Sequence, residues 1–243
     1  MLLALLATVT LAAPTDSGEA WIRKVHAAHH EGWFRTMTFI QKTTYPGRPD
    51  ETWYETMATP GKLRIDVAGP AGIARSIIFR NDSVYSQAGT TVQGGRPMVH
   101  TMLVILHNIH VLDPAKTAAA LRANGYDLSR THQATWQGRP VVVIGASAGD
   151  TVSNQFWLDT ETLLPLRMIE KTGNGGRMDA HVGKHRAEGR AWVEREILIH
   201  MNGTMVQGEE YTWVATDVPL DAQTFEPGSA PPAWVMQRVK SGG

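Results

Sequence analysis

Histidine is the residue type best suited to chemistry in this 243-residue chain, which holds ten of them. His26, His29 and His30 are three and four positions apart, which sets them on one side of a helix if residues 21–32 are helical. His107 and His110 repeat that spacing. A zinc site needs three or four ligands converging from fixed directions, and helical pairs supply at most two. His181 and His185 would share a strand face two pleats apart, too far to hold one ion. Glu31 follows His30 without the second spaced histidine of an H-E-x-x-H motif. The expectation is therefore solvated helix-face histidines, with no metal and no cofactor.

Other catalytic patterns are weaker. There is no G-x-S-x-G elbow and no P-loop. The glycine-containing stretches GPAGIA (69–74) and GNGG (173–176) have no helix placed after them to receive phosphate. Glu194 with Glu196, and Glu209 with Glu210, are acid pairs of a kind common on exposed strand faces. The chain is not expected to be an enzyme. Lys+Arg and Asp+Glu each number 23, so the net charge is zero and nucleic acid is excluded as a partner. Cysteine is absent, which removes disulfides, thiolate metal sites, a cysteine nucleophile and a lipid-modified cysteine.

The stronger signal is apolar. Phe39, Trp53, Met57, Leu63, Ile65, Ile77, Phe79, Trp157, Leu166 and Met168 could all project onto one concave face of a curved sheet, because residues i, i+2 and i+4 share a face. Met102, Leu103, Leu106 and Ile109 share one face of a helix that could close its mouth. Met and Trp suit an adaptable surface that repacks around varied ligands. A core filled by these same side chains satisfies the pattern equally well.

Positioning them requires a mainly β (α+β) domain. Strands are expected at 34–45, 52–58, 62–68, 76–80, 83–87, 126–137, 140–146, 153–159, 165–171, 178–186, 190–200 and 208–216. The third is clearest, with Leu63, Ile65 and Val67 alternating with Lys62, Arg64 and Asp66. Asn81-Asp82 and Asn202-Gly203 supply hairpin turns. Residues 98–109 are too long and apolar for an edge strand and are expected to be helical. Asp113-Pro114 then caps a second mid-chain helix that stops at Gly125. About a dozen antiparallel strands at regular spacing point to a barrel or a strongly curved sheet.

The opening MLLALLATVTLAA is too short to cross a bilayer as a helix and matches a signal-peptide core, although no Lys or Arg precedes Arg23. Residues 1–18 are assigned to that leader, 19–230 to a single domain, and 231–243 to a loose Pro/Gly-rich tail. Export to the periplasm as a free, unanchored monomer follows as the expectation.

The order of segments carries a further signal. FRTMTFIQKTTY, WYETMATPGKLRIDV and IIFRNDSVYSQ follow the first helix; FWLDTETLLPLRMIEK and EYTWVATDVPLDAQTFEPG come later. This series resembles the outer-membrane lipoprotein carrier (LolA/LolB-like) superfamily. The matching residues are Phe39 and Gln41; Pro60 and Arg64; Asn81, Asp82 and Tyr85; Trp157, Asp159, Leu164, Pro165 and Arg167; and Val218, Pro219, Phe225 and Pro227. The resemblance covers roughly residues 21–228. It implies an unclosed antiparallel β-barrel capped by helices, with an apolar cavity that holds acyl chains of lipid or lipoprotein. Thr59 departs from the pattern, standing where carriers have an arginine that latches the lid. The alternative is a cell-envelope sensor or interaction module that turns the same sheet toward an envelope membrane protein.

Overall fold

The computed structural model describes residues 16–241. The leader expected at the N-terminus lies almost wholly outside them. Residues 16–18, however, belong to the folded domain. Thr131 Oγ1 donates to the Asp16 carbonyl at 2.8 Å, and Ser17 caps the first helix, α1 (Gly18–His29). Gly18 is required there, because a Cβ would come 2.7 Å from Ile144 Cγ2 and 2.9 Å from the Leu128 carbonyl.

The fold is mainly β. Thirteen strands form one antiparallel sheet in the order β6-β5-β4-β3-β2-β1-β15-β14-β11-β10-β9-β8-β7. The first arm contains β1 (Thr36–Tyr45), β2 (Arg48–Ala58), β3 (Lys62–Gly69), β4 (Gly72–Arg80), β5 (Ser83–Ala88) and β6 (Thr91–Pro97). The second contains β7 (Asp127–Trp136), β8 (Arg139–Gly145), β9 (Gln155–Asp159), β10 (Pro165–Lys171), β11 (Arg177–Gly183), β14 (Glu196–Met201) and β15 (Thr204–Thr216). A separate hairpin, β12 (Arg186–Glu188) with β13 (Ala191–Val193), interrupts the second arm. The arms join where β1 pairs with β15, and the edge strands β6 and β7 do not pair with each other. The curved sheet is thus unclosed.

Local chemistry explains the turns. Asn81 and Asp82 both adopt positive φ (47° and 52°), as do Asn202 and Gly203 (51° and 86°), the geometry of a two-residue turn that matches strand twist. Strand β6 was not expected. Its sequence, TVQGGRP, has no apolar alternation, and it forms an exposed edge paired only with β5. The segment expected as one strand at 190–200 is broken at Glu194-Arg195, where Arg195 N donates to the Gly183 carbonyl at 3.1 Å.

Helices fill the concave side. Residues 101–111 run as α2 (Thr101–Leu103), a π-helical stretch (Val104–Asn108) and α3 (Ile109–Val111), then α4 (Pro114–Ala123) follows. Asp113 caps α4 by accepting from Ala115 N and Lys116 N. α1 packs against α3 and α4, and their apolar faces join those of the strands in one core.

Two outer-face features depart from expectation. The tail is not loose: α5 (Ala233–Lys240) lies on the convex face, burying Val235 fully beside Ile40 and Tyr54. Trp234 Nε1 donates to Thr56 Oγ1 at 3.0 Å. Arg64 and Asp66, polar members of an alternating strand, are fully buried under residues 224–229. Arg64 Nε pairs with Asp66 at 2.9 Å, and its Nη1 donates to the Thr224 carbonyl and to Ser229 Oγ. Removing one partner of a buried pair leaves an uncompensated charge, at a cost of about 3–5 kcal/mol. Arg64→Met should lower the urea midpoint by a change of that size, and Asp66→Leu added to it should restore most of the loss. A single variant as stable as the parent would show that the pair does not hold the C-terminal segment in place.

Candidate functional site: a helix-covered cavity

Between the concave face and the α2 segment lies a cavity of about 320 Å³. Strand parity builds its floor. Phe39 and Gln41 on β1, Trp53, Glu55 and Met57 on β2, Leu63 and Ile65 on β3, and Ile77 and Phe79 on β4 all face it. β11, β14 and β15 add Met178, Ile197, Ile199, Gln207, Glu209 and Tyr211. Thr212 is an extra residue in β15 opposite the Ile40–Gln41 step; it lets Tyr211 pair with Gln41 facing inward while Trp213 pairs with Ile40 facing outward. His100, Met102, Leu103, Leu106 and His107 form the helical side.

Ile109, Trp157, Leu166 and Met168, also expected at the cavity, are placed elsewhere. Ile109 is fully buried in the core, on the segment that packs against α1. Met168 faces inward, but the concave face is filled by side chains there. Leu166 lines a separate surface pocket with Trp136 and Val182. Trp157 has the opposite parity, since Phe156 and Leu158 occupy the inner face of β9. It stacks instead on the Arg167 guanidinium, which sits 4.5 Å from its ring and 4.3 Å from that of Trp136. Arg167 also binds Asp179 with two hydrogen bonds, of 2.8 and 2.6 Å, and holds that carboxyl far below the usual range against the effect of burial.

His26, His29 and His30 are partly exposed, but His107 and His110 are buried, not solvated as expected. His110 is fully buried, its ring stacked 3.5 Å from that of Trp33, and its Nδ1 lies 2.9 Å from His29 Nδ1. Burial holds His110 well below its ordinary pKa, and the neighbouring His29 and His107 add to this. His100 accepts from Leu103 N through Nδ1, and burial lowers it to about 4, so it is neutral near pH 7. Among the described residues no three His, Cys, Asp or Glu side chains are grouped to hold a metal ion.

The acids here correct the expectation of exposed strand-face pairs: Glu55 and Glu209 line the cavity, and Glu194 is buried against the lining residue His107. Glu194, just before β14, is 2% exposed and lies 3.1 Å from His107 Nε2, with Tyr211 Oη at 3.5 Å. Burial pushes Glu194 upward, but His107 outweighs it and holds the carboxyl below its ordinary value. Glu55 is 4% exposed, and burial raises its carboxyl well above the usual range, with Glu209 and Glu194 adding to the shift. Glu209 accepts from Gln207 Nε2 at 2.6 Å, yet burial still raises it to about 7. The signal was present: Glu55 sits between Trp53 and Met57 in the same period-two register.

Asn108 ties the helical cover to the sheet, its Oδ1 accepting from Gly61 N at 3.0 Å. Thr59 donates to the Phe34 and Arg35 carbonyls and so joins the β2–β3 turn to the segment after α1.

No protein-family model and no curated protein matches this sequence. Solved structures do match in fold. A putative outer membrane lipoprotein-sorting protein domain from Vibrio parahaemolyticus aligns with a TM-score of 0.58 at 10% identity, over 86% of this chain and 96% of that one. A DUF1329 family protein from Desulfovibrio piger gives 0.58 at 13% identity, over 86% and 95%. A LolA superfamily protein from Nitrosomonas europaea gives 0.52 at 9% identity, over 87% and 98%. The fold is LolA-like.

A carboxyl raised by folding contributes stability that is complete below its unfolded pKa, about 4.3, and is lost as pH rises through its folded value. For Glu209 that window runs from there to about 7. His110, and the partly buried His29, His100 and His185, are lowered by burial and give the opposite slope, so the informative quantity is a difference. Relative to the parent, Glu209→Gln should gain about 1–3 kcal/mol between pH 4.5 and pH 8, read from urea midpoints. Parallel pH profiles would show that Glu209 titrates as an ordinary surface acid.

Proposed function

We propose that this chain is a periplasmic lipid-binding or lipoprotein-carrier-like protein that holds an acyl chain in the helix-covered cavity, without catalysis. The cavity carries this reading. Its wall is mostly apolar side chains from both sheet and helix, and its volume of about 320 Å³ falls in the range of about 300–1,000 Å³ usual for small-molecule pockets. The fold shared with a putative outer membrane lipoprotein-sorting domain supports it, as does the leader-like opening of the sequence. No helix among the described residues is long and apolar enough to cross a membrane.

At about 30 Å³ per small group, the volume takes roughly ten methylenes. Each buried CH2 contributes about 0.8 kcal/mol, hence about 8 kcal/mol before association costs. Before those costs this corresponds to about micromolar, so the net affinity is micromolar or weaker, suited to holding a chain and passing it on. Entry requires the helical cover to move. Its π-helical stretch, which leaves the regular hydrogen-bond ladder, and its Asn108 tether to Gly61 are the points where it would yield.

A fluorescent acyl probe should bind the parent with micromolar or weaker affinity. Ile65→Trp, which fills the cavity from the centre of β3, should weaken that binding at least tenfold while the unfolding midpoint holds. Amide exchange across residues 101–111 should be faster than across β14 and slow when the probe is added. A probe that ignores the parent, or binds Ile65→Trp equally well, would remove the cavity from the account.

A further inference from the structure

The acyl-chain reading leaves one cavity-lining carboxyl unexplained. Glu55 is more than nine-tenths buried, faces the cavity, and makes no hydrogen bond or ion pair among the described residues. A buried carboxyl without a partner is costly and is retained where a ligand supplies the missing donor.

The chemistry of that donor follows from the rest of the wall. No Lys or Arg lines the cavity. His107 meets Glu194 through Nε2 while its Nδ1 is buried without a partner, and His100 uses Nδ1 to cap α2. The charged groups acting on Glu55 are themselves acids, Glu209 from β15 and Glu194 from the segment before β14. Tyr211, the remaining titratable group of the wall, is pushed well above its ordinary pKa by burial and stays neutral. The wall thus offers acids and no Lys or Arg to balance an incoming anion, in surroundings that strengthen charge interactions. A carboxylate or phosphate headgroup would add a charge of the same sign.

We infer that the cavity takes a single-chain amphiphile with a protonated amine at its polar end, the ammonium donating to Glu55 while the chain lies along Phe39, Leu63, Ile65 and Phe79. This rests on the acyl-chain reading and narrows its ligand class. The charge balance is simple. Burial and the neighbouring acids favour the protonated form of Glu55 in the empty cavity, and that form gives up one proton to bulk buffer for each ammonium that arrives. Net charge inside the cavity is unchanged.

The probes are decylammonium, decanol and decanoate, equal in chain length and used below their micelle concentrations, competing with the fluorescent acyl probe at pH 7. Decylammonium should bind at least tenfold tighter than decanol, with decanoate weakest. Its binding enthalpy should differ between phosphate and Tris buffers in proportion to their ionisation heats, reporting a released proton. In Glu55→Gln the ammonium-to-alcohol ratio should collapse to within about twofold. The parent series alone decides the matter if that variant fails to fold. Equal binding of all three probes, or decanoate binding tightest, would overturn the headgroup inference and leave the acyl-chain reading standing. If neither these probes nor the acyl probe binds, the acyl-chain reading falls and takes this inference with it.

Discussion

The whole molecule depends on a sheet that curls without closing. Thirteen antiparallel strands bend far enough to present a concave face, but β6 and β7 never meet, so that face cannot be filled by the strands opposite as in a small closed barrel. Helices must cover it. Over β8, β9 and β10 they succeed, and Ile144, Phe156 and Met168 pack into one continuous core with Ile22, Val25 and Leu121. Over β1 to β4, β14 and β15 the cover is the irregular segment from Thr101 to Val111, and it leaves a void. Core and cavity are thus two outcomes of a single packing problem along one surface.

The void also tolerates what a filled core would not. Glu55, Gln41 and Glu194 are as buried as the leucines beside them, and a close-packed interior would leave such groups no room to find partners or shed charge. Here they have adjusted in different ways. Glu194 pairs with His107, Gln41 donates to Thr43 Oγ1 at 2.8 Å, and burial shifts Glu55 toward its neutral form. The outer face meets its own polar burden more completely. Arg64 and Asp66 satisfy each other and the C-terminal segment, and Arg167 is clamped between two indoles and a carboxylate.

Much of this was legible in residue order, because a strand with one buried face writes its orientation into alternate positions. Phe39, Trp53, Met57, Leu63, Ile65, Ile77 and Phe79 were placed on the concave side by that rule, and the structure puts them there. The rule fails where both faces are covered. In β9, Phe156, Trp157 and Leu158 are consecutive apolar residues, and only Arg167 and Trp136, distant in sequence, assign Trp157 to the outside. Residue type misleads when burial comes from a remote segment: Arg64 and Asp66 read as solvent-facing until residues 224–229 cover them. Strand β6 is held by its ladder to β5 and not by side chains, so its Gly-Gly sequence carried no pattern to read. The acids of the cavity were visible as positions, but their type argued for water.

The pairing of β1 with β15 bears on when such a chain can finish folding. Within each arm most strands pair with a near neighbour in sequence, so each arm is a ladder that forms locally. The seam between the arms is different. The first strand must stay unpaired on one side until the last strand has been delivered, and the polar anchors of Arg64 come later still in the chain. Contacts so far apart in sequence form slowly, because a large loop must be closed before they give any return. A polypeptide emerging from its N-terminus therefore cannot complete its fold until nearly all of it is present. The seam between the arms, and with it the completed sheet, is the last part of the molecule to lock.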